Sequence, residues 1–379
     1  MLKLALNAVP LLSPLTGIGQ YTLQLLEGLD AQKDMRIEKF YASKWSAETR
    51  LQPLPESAQI WKKWLKKWLP NSYQYARAAQ QKIFSKGVAK FKPDLYHEPN
   101  YLAFEFDGPS VITVHDLSWI RYPQHHPLER VRAMNQYFEP ALRRASRIIT
   151  DSAFVKQEVI DVFGLSPDII HPVYLGVESQ FRPHTVKETQ ATLAKHGLQH
   201  QQYLLAVGTL EPRKNMGMVL QAFMAMPKAV RRQYPLVIVG MTGWHASPLE
   251  KLMSPLLAAG EIIQLGYLTR QELIHVTSSA SAMVYPSLYE GFGLPPLEAM
   301  ACGVPVIASN VTSLPEVVGE TGLLVDPLNP DAISQAMQTM TQAPELRAAY
   351  SQQALLRSRQ FNWHKCQQET IGVYRAALA

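Results

Sequence analysis

Short β-branched or apolar runs alternate with helix-like segments along the whole chain, and that alternation confines it to βαβ units wound around parallel sheets. In the first half the runs are Lys3–Asn7, Ile37–Ala42, Asp94–His97, Val111–His115, Arg147–Asp151 and Ile169–Tyr174. In the second half they are Tyr203–Val207, Leu236–Val239, Ile262–Leu265, Ala282–Tyr285, Val306–Ala308 and Leu323–Val325. Helices are predicted over Gly19–Leu29, Asn215–Met226, Arg270–Ser278, Leu297–Cys302 and Pro330–Thr341. Each half thus has the strands for its own doubly wound sheet, and 379 residues suit two domains. The polar stretch Arg182–Thr192 is the predicted hinge, which divides the chain into 1–182 and 183–360, with a terminal segment 361–379. Two such sheets are expected to face each other across a cleft, with chemistry on the loops after the strands.

Composition removes several alternatives. No run reaches the ~20 apolar residues of a membrane-spanning helix. Asn7 and Pro10 break the apolar N-terminus, which argues against a signal peptide. Cys302 and Cys366 are too few for a disulfide scaffold and lack metal-ligand spacing. A cytoplasmic protein is expected.

Three loops carry features that suit phosphate or sugar. Gly17-Ile18-Gly19 follows the first strand and precedes a helix expected to open at Gln20, although a lone GxG fits an ordinary loop equally well. After the strand Tyr203–Val207 comes Glu211-Pro212-Arg213-Lys214-Asn215. Adjacent cations at a strand-to-helix turn can neutralise a diphosphate, Arg213 as a fork and Lys214 as a point charge. A solvated charged turn is the plainer alternative. The third loop runs from Pro286 through Glu290, Gly291, Phe292, Gly293 and Leu294 to Glu298. Gly291 and Gly293 free backbone N–H groups beside a helix start, and Glu298 suits a vicinal diol such as a ribose.

Ser287–Pro327 (SLYEGFGLPPLEAMACGVPVIASNVTSLPEVVGETGLLVDP) closely resembles the signature of retaining family-4 glycosyltransferases of the GT-B type, with seven residues between Glu290 and Glu298. AVGTLEPRKN (Ala206–Asn215) is similar to that family's phosphate-binding loop, and VYLGVESQF (Val173–Phe181) to its interdomain segment. VIVGMTGW (Val237–Trp244) resembles its next strand and turn, and TVHDLSW (Thr113–Trp119) the N-terminal active-site loop of its bacterial mannosyltransferases.

The resemblance implies an α/β fold of two Rossmann-like domains. The first, 1–182, would bind acceptor; the second, 183–360, would bind nucleotide sugar; and 361–379 would pack back on the first. It implies that Arg213 and Lys214 bind the donor diphosphate, helped by backbone around Gly17, Gly19 and Gly291–Leu294. Glu298 would hold the ribose and Glu290 the donor sugar. His115 and Asp116 would face the sugar, His115 being the one tied to catalysis; a structural histidine is the plainer alternative. His97, in YHEPNY, is a second candidate for the acceptor side.

No Asp-x-Asp occurs anywhere, so no metal and no other cofactor is expected, and Arg213 and Lys214 would stabilise the leaving anion in its place. The resemblance implies a retaining, front-face transfer of mannose from GDP-mannose to a glycan or lipid-linked acceptor in polysaccharide or lipopolysaccharide synthesis. A UDP-sugar donor and a non-catalytic nucleotide-sugar-binding protein are the alternatives.

One feature stands apart from the loops. Ser57–Pro93 holds nine basic residues and no acid, although the net charge of the chain is only +6. Within it, Trp61, Trp64 and Trp68 form one stripe of a helix, with Lys62, Lys63, Lys66 and Lys67 largely opposite. That pattern predicts docking on an anionic membrane surface, as a peripheral protein of the inner face, and no nucleic-acid partner. A helix packed on its own domain with a solvated lysine face is the alternative.

Overall fold

Strands such as Leu236–Val239 and Ala282–Tyr285 are buried at every position, which requires a sheet covered on both faces. The computed structural model describes residues 1–13, 15, 17–51, 72–241 and 247–379. Trp61, Lys62, Lys63, Trp64, Lys66, Lys67 and Trp68 lie outside the described residues.

The described strands are β1 (Leu2–Asn7), β2 (Met35–Phe40), β3 (Trp45–Ser46), β4 (Leu95–Glu98), β5 (Ser110–Val114), β6 (Arg147–Thr150), β7 (Ile170–Pro172), β8 (Leu204–Val207), β9 (Leu236–Val239), β10 (Ile262–Gly266), β11 (Ala282–Tyr285), β12 (Val306–Ser309) and β13 (Leu323–Val325). They form two sheets, ordered β3-β2-β1-β4-β5-β6-β7 and β10-β9-β8-β11-β12-β13. All neighbours pair in parallel except β2 and β3. The short antiparallel β3 was not expected from the sequence; it closes an edge by pairing Trp45 with Phe40. In each sheet the winding reverses beside its first strand, between β1 and β4 and between β8 and β11. These are the points where open α/β sheets bind ligands.

The chain divides into two units, Met1–Leu175 with Trp363–Ala379, and Gly176–Asn362. The predicted boundary at 182 lies inside the second unit. Val177 bridges to Asn362, and Phe181 is buried with Leu193 and Leu205, so Gly176–Arg182 is part of that unit's fold. In the same unit Leu204 and Leu205 point to opposite faces, each into its own apolar cluster. The helix Trp363–Leu378 belongs to the first unit, where Gln367 donates to the Gln24 carbonyl at 2.7 Å.

Candidate active site

In the second unit β8 runs into Gly208, a tight turn at Pro212–Lys214, and the helix Met216–Ala225. Gly208 and Gly240 end neighbouring strands so closely that a Cβ on Gly240 would lie 1.9 Å from the Gly208 carbonyl oxygen. Asn215 holds the turn, donating to the Pro286 carbonyl at 2.9 Å and the Pro327 carbonyl at 2.7 Å. These bonds lay the loop after β8 against the loop after β11, at the switch point of the sheet.

The cations meet Glu290 there. Lys214 Nζ donates to Glu290 Oε1 at 2.6 Å and to Tyr285 Oη at 2.8 Å. Arg213 donates to Glu290 Oε2 at 3.2 Å, to the Tyr289 carbonyl at 2.6 Å and to Glu211 at 2.8 Å. Burial opposes a charge on Glu290, but Lys214 and Arg213 overturn it and hold the carboxyl down to about 2. The same burial lowers the Lys214 pKa, which Glu290 pulls back up. Among the described residues, Tyr285 and Glu290 engage two of the three N–H donors of Lys214.

Gly293, at φ +113°, opens the helix Leu294–Ala301, and Leu314 occupies the space a Cβ would need. Gly291 and Phe292 are buried; the Phe292 ring packs edge-on against Phe361 and its carbonyl accepts from Ser313, so its side chain belongs to the core. Glu298 is not part of the Lys214 cluster. It accepts from Arg270 Nη2 at 2.8 Å, and the same guanidinium pairs with Glu178 and covers the Phe181 ring. Burial raises the Glu298 pKa against the pull of Arg270. Arg270 Nε is buried without a hydrogen-bond partner among the described residues.

In the first unit His115 follows β5 and is 7% exposed. Its Nδ1 meets Asp151 Oδ2 at 2.8 Å, and its Nε2 donates to the Pro99 carbonyl at 2.8 Å, since a carbonyl only accepts. Burial works against a charged ring, but Asp151 and Pro99 outweigh it and raise the imidazole pKa. Both ring nitrogens are therefore engaged, and contact with a sugar through Nε2 would cost the Pro99 bond. Asp116 is half-buried; its Oδ1 accepts from the Ser118 amide at 3.0 Å.

Two expectations need correction. His97 is fully buried between Tyr374, at 2.7 Å, and Thr113, at 2.9 Å, and burial depresses its pKa to about 3. It pins the C-terminal helix and lines no acceptor surface. Gly17-Ile18-Gly19 is not a loop before a helix: the helix starts at Gly17, and Gly19 is packed against Leu15. Tyr285, Glu211, Arg270, Glu178 and Asp151 were not singled out from the sequence. Tyr285 and Asp151 read as strand residues, and only their terminal positions marked them.

The comparisons with known proteins decide the family. Residues 15–181 match the model for Glycosyltransferase Family 4 and residues 189–357 that for Glycosyl transferases group 1. The chain is 35% identical to the O-antigen chain mannosyltransferase B of Escherichia coli, over 99% of this chain and 100% of that one. The chain belongs to the family-4 glycosyltransferases. Its fold is GT-B. Superposition on a sucrose-phosphate synthase from Thermosynechococcus elongatus gives a TM-score of 0.77 at 21% identity, covering 99% of this chain and 98% of that one. Anabaena HepE in complex with UDP-glucose gives 0.73 at 15% identity, over 99% and 100% of the two chains. Membership of the family makes this glycosyltransferase a hexosyltransferase, and none of its described helices is long and apolar enough to cross a membrane.

Proposed function

We propose that this glycosyltransferase moves mannose from GDP-mannose to a glycan or lipid-linked acceptor in O-antigen or related surface-polysaccharide synthesis, with retention and without a metal. The observation that carries the reading is the 35% identity, end to end, with an enzyme named for mannosyl transfer to O-antigen chains. The second-unit cluster supports it chemically. As the bond from the anomeric carbon to the diphosphate breaks, negative charge grows on the leaving group, and Arg213 and Lys214 supply N–H donors for it. Glu290, kept ionised between them, favours positive charge on the sugar ring. Glu298 takes the ribose, and His115 fixes the Pro99 turn through its bond to that carbonyl. The leaving phosphate accepts the proton of the acceptor hydroxyl.

Purified protein is assayed with GDP-mannose, UDP-glucose and UDP-galactose, with and without EDTA, and the anomer formed is read by NMR. Hydrolysis or transfer confined to GDP-mannose, insensitive to EDTA and giving the α anomer, is the expected result. A UDP-sugar preference, EDTA inactivation or inversion overturns the corresponding element. Arg213→Ala combined with Lys214→Ala should lower kcat/KM by about 10²-fold or more in a folded protein.

The basic aromatic segment Trp61–Trp68 supports peripheral docking on anionic lipid. Salt-sensitive binding to phosphatidylglycerol vesicles, lost in Trp64→Ser with Trp68→Ser, is expected; equal binding by that variant removes this part.

A further inference from the structure

Gln201 precedes β8, Ser281 precedes β11 and Pro305 precedes β12, and in a parallel sheet those positions lie together at the amino ends of the strands. All three border a cavity of about 350 Å³, walled on another side by the helix Pro344–Ser358. The cluster of Arg213, Lys214 and Glu290 follows the same strands at their carboxyl ends. Strands of four residues, rising ~3.3 Å per residue, therefore hold the two places apart. The volume lies at the small end of the ~300–1,000 Å³ of ordinary ligand pockets.

The walls are fixed by the protein itself. Ser281 Oγ donates to the Gln201 carbonyl and Ser351 Oγ to the Gly303 carbonyl, each at 2.6 Å. Arg347 Nη1 donates to the Met340 carbonyl at 3.1 Å, which holds the guanidinium beside the cavity. Among the described residues the lining has this one arginine, no lysine and no carboxylate.

Two imidazoles border the same space. His184, its side chain 7% exposed, donates from Nε2 to the Gln180 carbonyl at 3.1 Å. Its Nδ1, 3.6 Å from Glu188, has no hydrogen-bond partner among the described residues, and neither has the buried Nδ1 of His200. Buried polar atoms are nearly always paired, so two such nitrogens beside one cavity need an explanation. Val304 supplies an apolar floor, and the amides of Gln201 and Gln352 stand at an exposed rim. A fixed guanidinium with no competing acid suits a phosphate monoester, whereas a diphosphate would find no second cation. Imidazoles and amides above an apolar floor suit the hydroxyls and C–H face of a sugar.

We propose that this cavity is a second ligand site, for a small sugar phosphate, with Arg347 on the phosphate and His184 and His200 on the sugar hydroxyls. The assignment is independent of the transferase reading and of the donor.

Mannose 6-phosphate is titrated into the full chain by calorimetry, with mannose and inorganic phosphate as separate probes. Arg347→Gln removes the charge, and Ala348→Trp blocks the cavity from an exposed position of its wall. Circular dichroism verifies that both variants fold. Each should weaken mannose 6-phosphate by about 10-fold or more, the loss expected for a hydrogen bond to a charged group. Arg213→Ala combined with Lys214→Ala should bind it as wild type does. No binding by the wild type, unchanged binding in either folded cavity variant, or loss confined to the Arg213 and Lys214 variant overturns the site. Mannose or inorganic phosphate binding as tightly as mannose 6-phosphate overturns the assignment of a sugar phosphate as its ligand.

Discussion

Lys214 and Glu290 lie 76 residues apart in sequence and meet at 2.6 Å, with Tyr285 bonded to both. The loop after β8 and the loop after β11 come together because β8 and β11 are neighbours at the switch point. Each loop alone is ordinary; the contact makes them one site. Two cations face Glu290 and Glu211, so the cluster is electrically balanced before any ligand arrives.

Glu290→Gln tests that balance. It removes a buried anion from two buried cations, a change that costs about 3–5 kcal/mol in comparable pairs. The melting temperature of the variant should fall, and the shift produced by GDP should exceed that of wild type, because the diphosphate then supplies the missing charge. Differential scanning fluorimetry with and without GDP reads both numbers; an equal or smaller GDP shift refutes the idea. Since Glu290 is held near 2, its contribution is present above an ordinary carboxyl pKa of about 4.5 and is lost as pH falls towards 2.

Arg270→Met removes the counter-ion of Glu298. Burial already raises that carboxyl, and loss of the guanidinium raises it further. If the ionised form binds the nucleotide ribose, the acid limb of GDP affinity should move to higher pH in the variant. Calorimetric titration from pH 5.5 to 8.5 checks this, and Arg270→Lys should return the limb part of the way. Superimposable profiles would deny Arg270 the role.

For Glu98 the sign of the pH dependence is opposite to that of Glu290. Burial lifts its pKa to about 7, so the folded protein holds a proton that the unfolded chain has released above about 4.5. Stability from this group is complete below 4.5 and declines as pH climbs to 7, with an upper range on the order of 3 kcal/mol. Glu98→Gln does not titrate. Urea midpoints measured from pH 5 to 8 should drop less in the variant than in wild type, and parallel curves would contradict the assignment.

Tyr374→Phe leaves His97 Nδ1 buried without its partner. An unsatisfied buried group of this kind costs about 1–3 kcal/mol. The amides of the helix Trp363–Leu378 should exchange faster in the variant, and hydrogen exchange at that helix is the measurement. Unchanged protection would mean that packing alone holds it.

Much of this was legible beforehand, for identifiable reasons. Every run expected to be a strand is one, because buried parallel strands advertise themselves as continuous apolar segments. Arg213, Lys214 and Glu290 stood out because charge in Gly/Pro-rich turns after such strands is locally conspicuous. Asp151 and Arg270 were invisible by contrast: each is unremarkable among its chain neighbours, and its partner, His115 or Glu298, lies 36 or 28 residues away. His97 misled, since a histidine at the end of a strand reads alike whether it meets solvent or the underside of a helix that arrives 277 residues later.

The order of residues alone thus determined two parallel α/β units, the loops that carry charge, and the family, since these depend on patterns within a few residues or on extended motifs. Tertiary structure decided which charges became partners and which histidine was sealed away. Those outcomes depend on strand order and on desolvation, and both arise only once distant segments have been brought side by side.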